Sequence, residues 1–389
     1  MRTTQVSRIA LLLLILSVLF GAISLWIVRY VDTVDSDFFS FWLAGRVVQQ
    51  GQSPYDVEVW IEGHQNYHAD WISDPTFLYP LPLAIVLAPL SRLALPVAYA
   101  IWVWISQWIL FGSTLWLLRL FKDKARFFIL PVFAGLVLFR PVFPLLLSGQ
   151  IASLLLLEVL LSLALFVRQR TFGAGLMLSL VVLKPNLGVP ILGLVSLYLL
   201  LSRQFHGLLG IGVGLLILLG ISLFLQPDWI RAYADVLLYK QTSTFGYTPT
   251  LWGLVYFLTG MNRELSLWIG VLLCLFVVGV FIVVVSQRDV GYEGVFSLAT
   301  SLGVLMTPYL WPYDQILLLI PIIFITACMA QARWPFLISA LFFLVVDVIY
   351  WLILWLSLPI ERENFGALIP LVLSVLLFFV LFRKPRLAF

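Results

Sequence analysis

The feature that most limits what this chain can become is the number of its apolar runs. Ile9 to Val28 follows Arg2 and Arg8, and further runs lie near residues 96–119, 127–147, 151–167, 172–184, 188–202, 207–225, 266–285, 294–310, 316–331, 334–357 and 366–382. Most of them approach the roughly 20 residues that an α-helix needs to cross bilayer hydrocarbon. One soluble core cannot bury them all. Of 389 residues, 62% are hydrophobic and 11% charged, against roughly 45 to 50% apolar in an ordinary soluble domain. The expected fold is all-α: a polytopic membrane protein of about 12 transmembrane helices, forming one integral membrane domain over 1–389. The first run lacks a small-residue cleavage site and is long enough to span, so it reads as a retained helix.

Charge placement sets the expected orientation. Phe77 to Leu90, FLYPLPLAIVLAPL, is apolar but has only 14 residues and contains Pro80, Pro82 and Pro89. Such a segment reads as an interfacial or re-entrant helix in the first outer loop. If it does not cross, 14 Lys and Arg fall on the cytoplasmic side against 9 outside, and the clusters KDKAR, RQR and RKPR all lie inside. Both termini are then cytoplasmic. On the same topology 14 of the 19 acidic residues face outward. Any chemistry is therefore expected on the extracytoplasmic face of the plasma membrane, in the outer loop 30–95 and the outer segments 147–151, 184–188, 226–266 and 307–315. The net charge of +4 is scattered singly between apolar runs, which excludes the basic stripe that nucleic acid requires. Cys274 and Cys328 sit inside apolar runs with no metal or disulfide spacing.

The densest polar constellation is VDTVDSDFFSFWLAGRVVQQGQSPYDVEVW in the first outer loop. An aspartate just past a spanning helix and beside aromatic rings suits a general base, or alternatively a helix cap. Lys184 ends an apolar run, and Pro185 after it stops the helix there. A lysine at that depth either has an anionic partner or snorkels to the interface. Arg140 offers the same two readings, while Ser148 and Gln150 flank a Gly149 bend and can hydrogen bond a sugar or phosphate. His64 and His68, four apart beside Glu62, Asp70 and Asp74, would form a metal face only on a continuous helix, so no metal site is expected. Glu158 and Asp347 lie inside spans, where an interhelical hydrogen bond is the expected partner.

Asp37-Phe38, Phe41-Trp42, Ala44-Gly45, Gly51 and Pro54-Tyr55-Asp56 together resemble the opening of glycosyltransferase family 87, the polyprenyl-phosphate-mannose-dependent mannosyltransferases. Phe77, Tyr79, Pro80 and Pro89-Leu90 fit the same pattern, as do Ser148-Gly149-Gln150 and Gly173 to Lys184-Pro185. Thr307-Pro308-Tyr309 through Trp311 and Tyr313-Asp314 resembles the family's late segment less closely, because family members often carry a histidine where this chain has Tyr313 and Asp314.

The resemblance implies a C-type glycosyltransferase helical bundle. Its reaction would move a hexose, mannose by the family pattern, from a polyprenyl-phosphate donor to an extracytoplasmic acceptor hydroxyl with inversion. Asp37 matches the catalytic aspartate, with Asp35 the alternative if the alignment shifts. Lys184, Gln150, Arg140, Tyr313 and Asp314 would bind the donor phosphate or sugar. Trp42 and Tyr55, with Trp60 and Trp71 beside them, would stack on sugar rings. No cofactor is required, since a phosphate already leaves readily. The expected partners are the bilayer, the lipid-linked donor and a glycolipid or glycan acceptor. A lipid or sugar transporter or flippase, or an inactive envelope scaffold, is the alternative. A transporter would place polar residues mid-bilayer in matched halves, whereas this chain concentrates its acids in outer loops.

Overall fold

A computed structural model describes residues 2–69, 74, 76–244, 246, 248–287, 290–332, 334–360 and 362–383. Asp70, Trp71, Arg288, Asp289, Arg333, Glu361, Lys384 and Arg386 lie outside the described residues. All regular structure among the described residues is helical. The first helix is α1 (Arg2–Tyr30), and the first loop then folds into α2 (Asp37–Gln49), α3 (Val57–Asn66) and α4 (Leu81–Ser91). A hairpin of α5 (Leu95–Leu118) and α6 (Ala125–Leu138) follows, with α7 (Val142–Ser148) bent by 119° onto α8 (Ala152–Val167). Next come α9 (Thr171–Leu178), α10 (Pro185–Leu201), α11 (Phe205–Leu225), α12 (Trp229–Thr244) and α13 (Leu251–Leu258). The chain ends with α14 (Arg263–Gln287), α15 (Tyr292–Met306), α16 (Leu319–Gln331), α17 (Phe336–Ser357) and α18 (Leu368–Arg383).

Among the described residues, seven helical stretches are long and apolar enough to cross a membrane, or eight if the bent pair α7–α8 is one span. The expected count of twelve is therefore not reached on length alone. Four apolar helices, Leu81–Ser91, Thr171–Leu183, Pro185–Leu201 and Tyr292–Met306, have only 10–17 residues. Prolines account for much of this shortening: Pro185 starts α10 directly after the break at Lys184, and Pro80 precedes α4. The stretch Leu95–Leu138 runs to 44 residues but turns back on itself at Lys122, whose φ of 50° is not helical. Phe121 stacks on Phe128 and Phe111 lies against Phe133, which makes α5 and α6 antiparallel.

The bundle has a clear inside and outside. In the window Pro312–Gln331, 94% of residues are buried, so α16 runs through the centre, whereas only 11% of Ala10–Tyr30 is buried and α1 lies at the periphery. Polar contacts tie α1 to α5: Trp104 donates to the Ser17 carbonyl at 3.2 Å, and Gln107 donates to Phe20 O at 3.1 Å and Ser24 Oγ at 3.0 Å. Such bonds are useful in lipid, which offers no apolar driving force for helix association. Helices α9 and α11 meet through small residues, since a Cβ on Gly175 or Gly210 would strike the backbone carbonyls of Gly207 and Phe172 respectively.

Long-range contacts define two ends. At one, Arg119 pairs with Glu293 at 3.5 Å, Gln331 donates to Leu120 O at 2.7 Å, Lys124 donates to Ala330 O and Tyr292 to Gln204 Oε1 at 2.7 Å. At the other, the first loop packs over the start of α5, the α7–α8 bend and the start of α10. Within that loop α4 lies close on α2: a Cβ on Gly45 would come within 3.1 Å of Ala88, and Gln49 reaches Ser91 Oγ at 3.0 Å. The 11-residue α4, roughly 16 Å long, is too short to span.

The mid-span acids differ from expectation. Glu158 Oε2 and both carboxylate oxygens of Asp347 are buried without a hydrogen-bond partner among the described residues, so the structure gives neither acid an interhelical bond through those atoms.

Candidate active site

Helix α2 begins where Ser36 caps it, its Oγ accepting from Phe39 N at 3.3 Å and donating to Thr33 O at 2.7 Å. Asp37 is thus the first residue of the helix, where the backbone N–H groups and the positive end of the helix dipole favour a carboxylate. Phe38, next in sequence, is buried and stacks on Tyr99 at 5.3 Å and Trp102 at 6.2 Å, which fixes this first turn against α5. Asp37, Ser40 and Phe41 share one face at helical spacing and line a cavity. Asp35 precedes the cap, is exposed and does not line it. Of the two aspartates, the structure brings only Asp37 to the cavity.

Across the same cavity lie Lys184, Tyr79, Tyr313 and Asp314. Lys184 occupies the break between a 3-10 turn, Ser179–Leu183, and α10, with φ −126° and ψ 80°, as the following proline requires. It is 2% exposed, so it does not snorkel. Its Nζ donates to Asp314 Oδ1 at 2.5 Å and to Gln150 Oε1 at 2.9 Å. Asp314 Oδ2 accepts from Trp311 N at 3.0 Å, so this residue both caps its own turn and pairs with the lysine. Asn186 strengthens the approach of the two segments, donating to Tyr309 O at 3.0 Å while its carbonyl accepts from Thr307 Oγ1 at 2.5 Å.

Gln150 is aimed by the bend before it. Gly149 has φ +66°, and any Cβ there would run into the Tyr99 ring. The bend hangs on α5: Trp102 Nε1 donates to Gly149 O at 2.9 Å and the Tyr99 hydroxyl to Leu147 O at 2.6 Å. Because an ammonium only donates, the oxygen of the Gln150 amide faces Lys184, and its Nε2 then donates to the hydroxyls of Tyr313 at 3.1 Å and Tyr79 at 3.4 Å. Each tyrosine hydroxyl accepts here and keeps its own proton to donate. Lys184 has two of its three N–H groups engaged among the described residues. Tyr79 stays protonated: burial raises its pKa well above 10, and the Asp37 charge raises it further. The knot therefore leaves an ammonium N–H and two phenol O–H donors for the cavity, a set suited to a ligand rich in acceptor oxygens.

Four expected residues lie elsewhere, and Gln150, 1% exposed, stands behind the cavity wall rather than lining it. Arg140 makes a two-pronged ion pair with Glu363, Nη2 to Oε1 at 2.7 Å and Nη1 to Oε2 at 3.0 Å, and does not line the cavity. Trp42 is buried at the α2–α4 contact, donating from Nε1 to Leu93 O at 3.0 Å with Tyr67 against its ring, so a sugar has no access to its face. Tyr55 is likewise buried, its hydroxyl donating to Tyr79 O at 2.7 Å, which helps hold the Tyr79 segment in place. Ser148 donates to Pro144 O within its own helix. His64 and His68 share no helical face, because α3 ends at Asn66 and His68 adopts φ 56° beyond it. Among the described residues no three His, Cys, Asp or Glu side chains are grouped to hold a metal ion.

The structure adds Tyr79, Asn186 and His64 to the cavity wall, and of the four expected aromatics it places Trp60 there. Tyr79 stood in the sequence within a recognisable Tyr-Pro pair, but nothing local shows that a residue 105 positions before Lys184 reaches the same amide. His64 carries a signal only for a helix face shared with Trp60, and its neighbour Phe39 comes from packing.

No curated protein and no solved structure matches the chain. The family model of glycosyltransferase family 87 matches residues 77–311, more than half of it. The matched segment holds Tyr79, Gln150, Lys184 and Asn186, while Asp37 stands before it and Tyr313 and Asp314 after it. With the donor knot built largely from that segment, and a bundle of apolar helices around it, the chain belongs to glycosyltransferase family 87 and is a membrane glycosyltransferase.

Proposed function

We propose that the protein transfers a hexose, mannose in this reading, from a polyprenyl-phosphate donor to a hydroxyl of a glycolipid or glycan acceptor, with inversion at the anomeric carbon. The observation that carries this reading is the meeting of Asp37 with the donors Lys184, Tyr79 and Tyr313 in one cavity, the last three tied together by Gln150. Three N–H and O–H donors suit the oxygens of a phosphate, and the cavity's aromatic rings suit a sugar. Asp37 takes the proton from the acceptor hydroxyl as its oxygen attacks the anomeric carbon. The bond from that carbon to the phosphate oxygen breaks, and polyprenyl phosphate leaves with the electron pair. A phosphate leaving group needs little protonation, so one carboxylate suffices and no metal is called for. Asp314, committed to Lys184 and to Trp311 N, holds the cation in place rather than acting as a second base.

The cavity end is extracytoplasmic in this reading and the basic end, with Arg119, Lys122 and Lys124, is cytoplasmic. Twelve crossings follow if the short helices also cross. Support comes from their end contacts: α15 starts beside Gln204 and Arg119 and ends where Trp252 donates to Met306 O, and α10 starts at Lys184 in the cavity. Helix α4 lies at the outer interface of the plasma membrane. The test is transfer of radiolabelled mannose from synthetic polyprenyl-phosphate-mannose to a membrane-extract acceptor. Asp37→Asn is expected to lose about 10²- to 10⁴-fold in turnover while remaining folded, and Asp35→Asn to stay near wild type. Loss confined to Asp35→Asn, or no transfer by folded wild-type protein, overturns the reading; the second result is what a transporter or scaffold gives.

A further inference from the structure

The Lys184 knot accounts for one part of the cavity wall, and helix α3 supplies another part that the reaction described above leaves unused. Trp60 and His64 stand one turn apart on α3, and both line the cavity. Trp60 is 2% exposed, and its indole Nε1 is buried with no hydrogen-bond partner among the described residues. A buried N–H without a partner is costly, and a ligand oxygen brought to it would relieve that cost. His64 makes its polar contact through Nδ1, 2.8 Å from Trp60 O. A carbonyl only accepts, so Nδ1 carries the ring proton, and in the neutral ring Nε2 is an acceptor. Burial lowers the His64 pKa below 6.5, against the opposing effect of the Trp60 carbonyl, and so favours the neutral form. Helix α3 therefore presents one donor and one acceptor at neighbouring positions.

The pair is also fixed relative to Asp37. Asp56 caps α3 through Glu58 N at 2.9 Å and Val59 N at 3.2 Å. The edge of Phe39 meets the His64 ring at 5.1 Å, and a Cβ on Gly63 would come within 2.9 Å of Leu43. Phe39 and Leu43 belong to α2, the helix that begins with Asp37, so α3 is pressed onto the same rigid element. Resting on the reading of Asp37 as base, we infer that Trp60 and His64 hold the acceptor: the indole N–H donates to one acceptor hydroxyl, and His64 Nε2 accepts from a second. A molecule offering two neighbouring hydroxyls satisfies both groups, whereas one with a single hydroxyl leaves one of them unmet.

The experiment uses the purified full-length protein, saturating synthetic polyprenyl-phosphate-mannose and graded amounts of a membrane lipid extract as acceptor. The variants are Trp60→Phe, His64→Gln and His64→Asn. A glutamine amide reaches roughly where Nε2 lies, while an asparagine amide reproduces Nδ1 and its bond to the Trp60 carbonyl. Trp60→Phe and His64→Asn are expected to raise the acceptor KM about 10-fold with donor KM unchanged, and His64→Gln to raise it by a clearly smaller factor. The reverse order, with Asn active and Gln impaired, shows that His64 only ties down the Trp60 carbonyl and overturns the inference. Equal rises in donor and acceptor KM also overturn it. No transfer by wild type removes the glycosyl-transfer reading itself, an outcome separate from an active wild type whose variants are unaffected.

Discussion

Lys184 and Asp314 are 130 positions apart and form a buried pair whose remaining hydrogen bonds are met by Gln150 and the Trp311 backbone. A pair of this kind contributes little net stability, because desolvating both charges offsets their attraction, but removing one partner strands the other. Lys184→Met is expected to cost about 3–5 kcal/mol and to abolish transfer. Lys184→Met with Asp314→Asn is expected to recover most of that stability while transfer stays lost. Thermal melting in detergent beside the transfer assay checks both, and full activity in the double variant would remove Lys184 from the site. At this scale the sequence pointed to Lys184 through the proline that follows it, and to Asp37 through its place just past a spanning helix beside aromatic rings and through the family resemblance of Asp37-Phe38. Arg140, Trp42 and Tyr55 carried no comparable signal. Where an arginine or an aromatic ring ends up depends on partners such as Glu363, Leu93 and Tyr79, which only packing supplies.

The helices meet most closely where glycine removes the side chain. Gly175, Gly210 and Gly214 bring α9 and α11 together so tightly that a Cβ at Gly210 collides with the Phe172 carbonyl, a backbone atom with no room to yield. Gly212, two positions along the same helix, has nothing within 4 Å of its Cβ position. Gly210→Ala is therefore expected to destabilise by about 1–3 kcal/mol. Gly212→Ala is expected to stabilise by about 0.5–1 kcal/mol through helix propensity alone. Melting temperatures of the two variants in the same detergent check the pair, and equal shifts of the same sign would show that the two helices do not pack through this face. The α9–α11 contact also supports the break at Lys184, since Ser179, just before it, lies against Gly214. Element lengths were only partly legible. Long apolar runs such as α11 and α14 were plain, but the helices ending near the cavity are cut short by Pro80 and Pro185, and a short buried helix resembles a short span in composition.

For the whole molecule, the two ends differ in chemistry. One gathers Arg119, Lys122 and Lys124 around Glu293 and Ala330, and the other gathers Asp37, Lys184 and Asp314 around an aromatic-lined cavity. With Cys274 and Cys328 replaced by alanine, Asp35→Cys is expected to react with a membrane-impermeant maleimide on intact cells, and Asp123→Cys only after permeabilisation. Both positions are exposed at their respective ends, so labelling reports side rather than burial. The opposite pattern would turn the cavity inward and exclude an extracytoplasmic reaction.

Composition and the repeated apolar runs determined by themselves that the chain is an all-helical membrane protein, because so much apolar surface is stable only with lipid as solvent and backbone polar groups are then satisfied within helices. Short signals at Ser36-Asp37, Gly149-Gln150 and Lys184-Pro185 determined where helices start and stop beside the site. Only the tertiary structure decided that Asp37 rather than Asp35 reaches the cavity, that Lys184 turns inward to Asp314, and that Arg140 turns away to Glu363. These outcomes depend on contacts between residues far apart in the chain. A helix terminus is written in its own few residues, whereas the partner of a buried charge is chosen by which distant segment can approach closely enough to replace water.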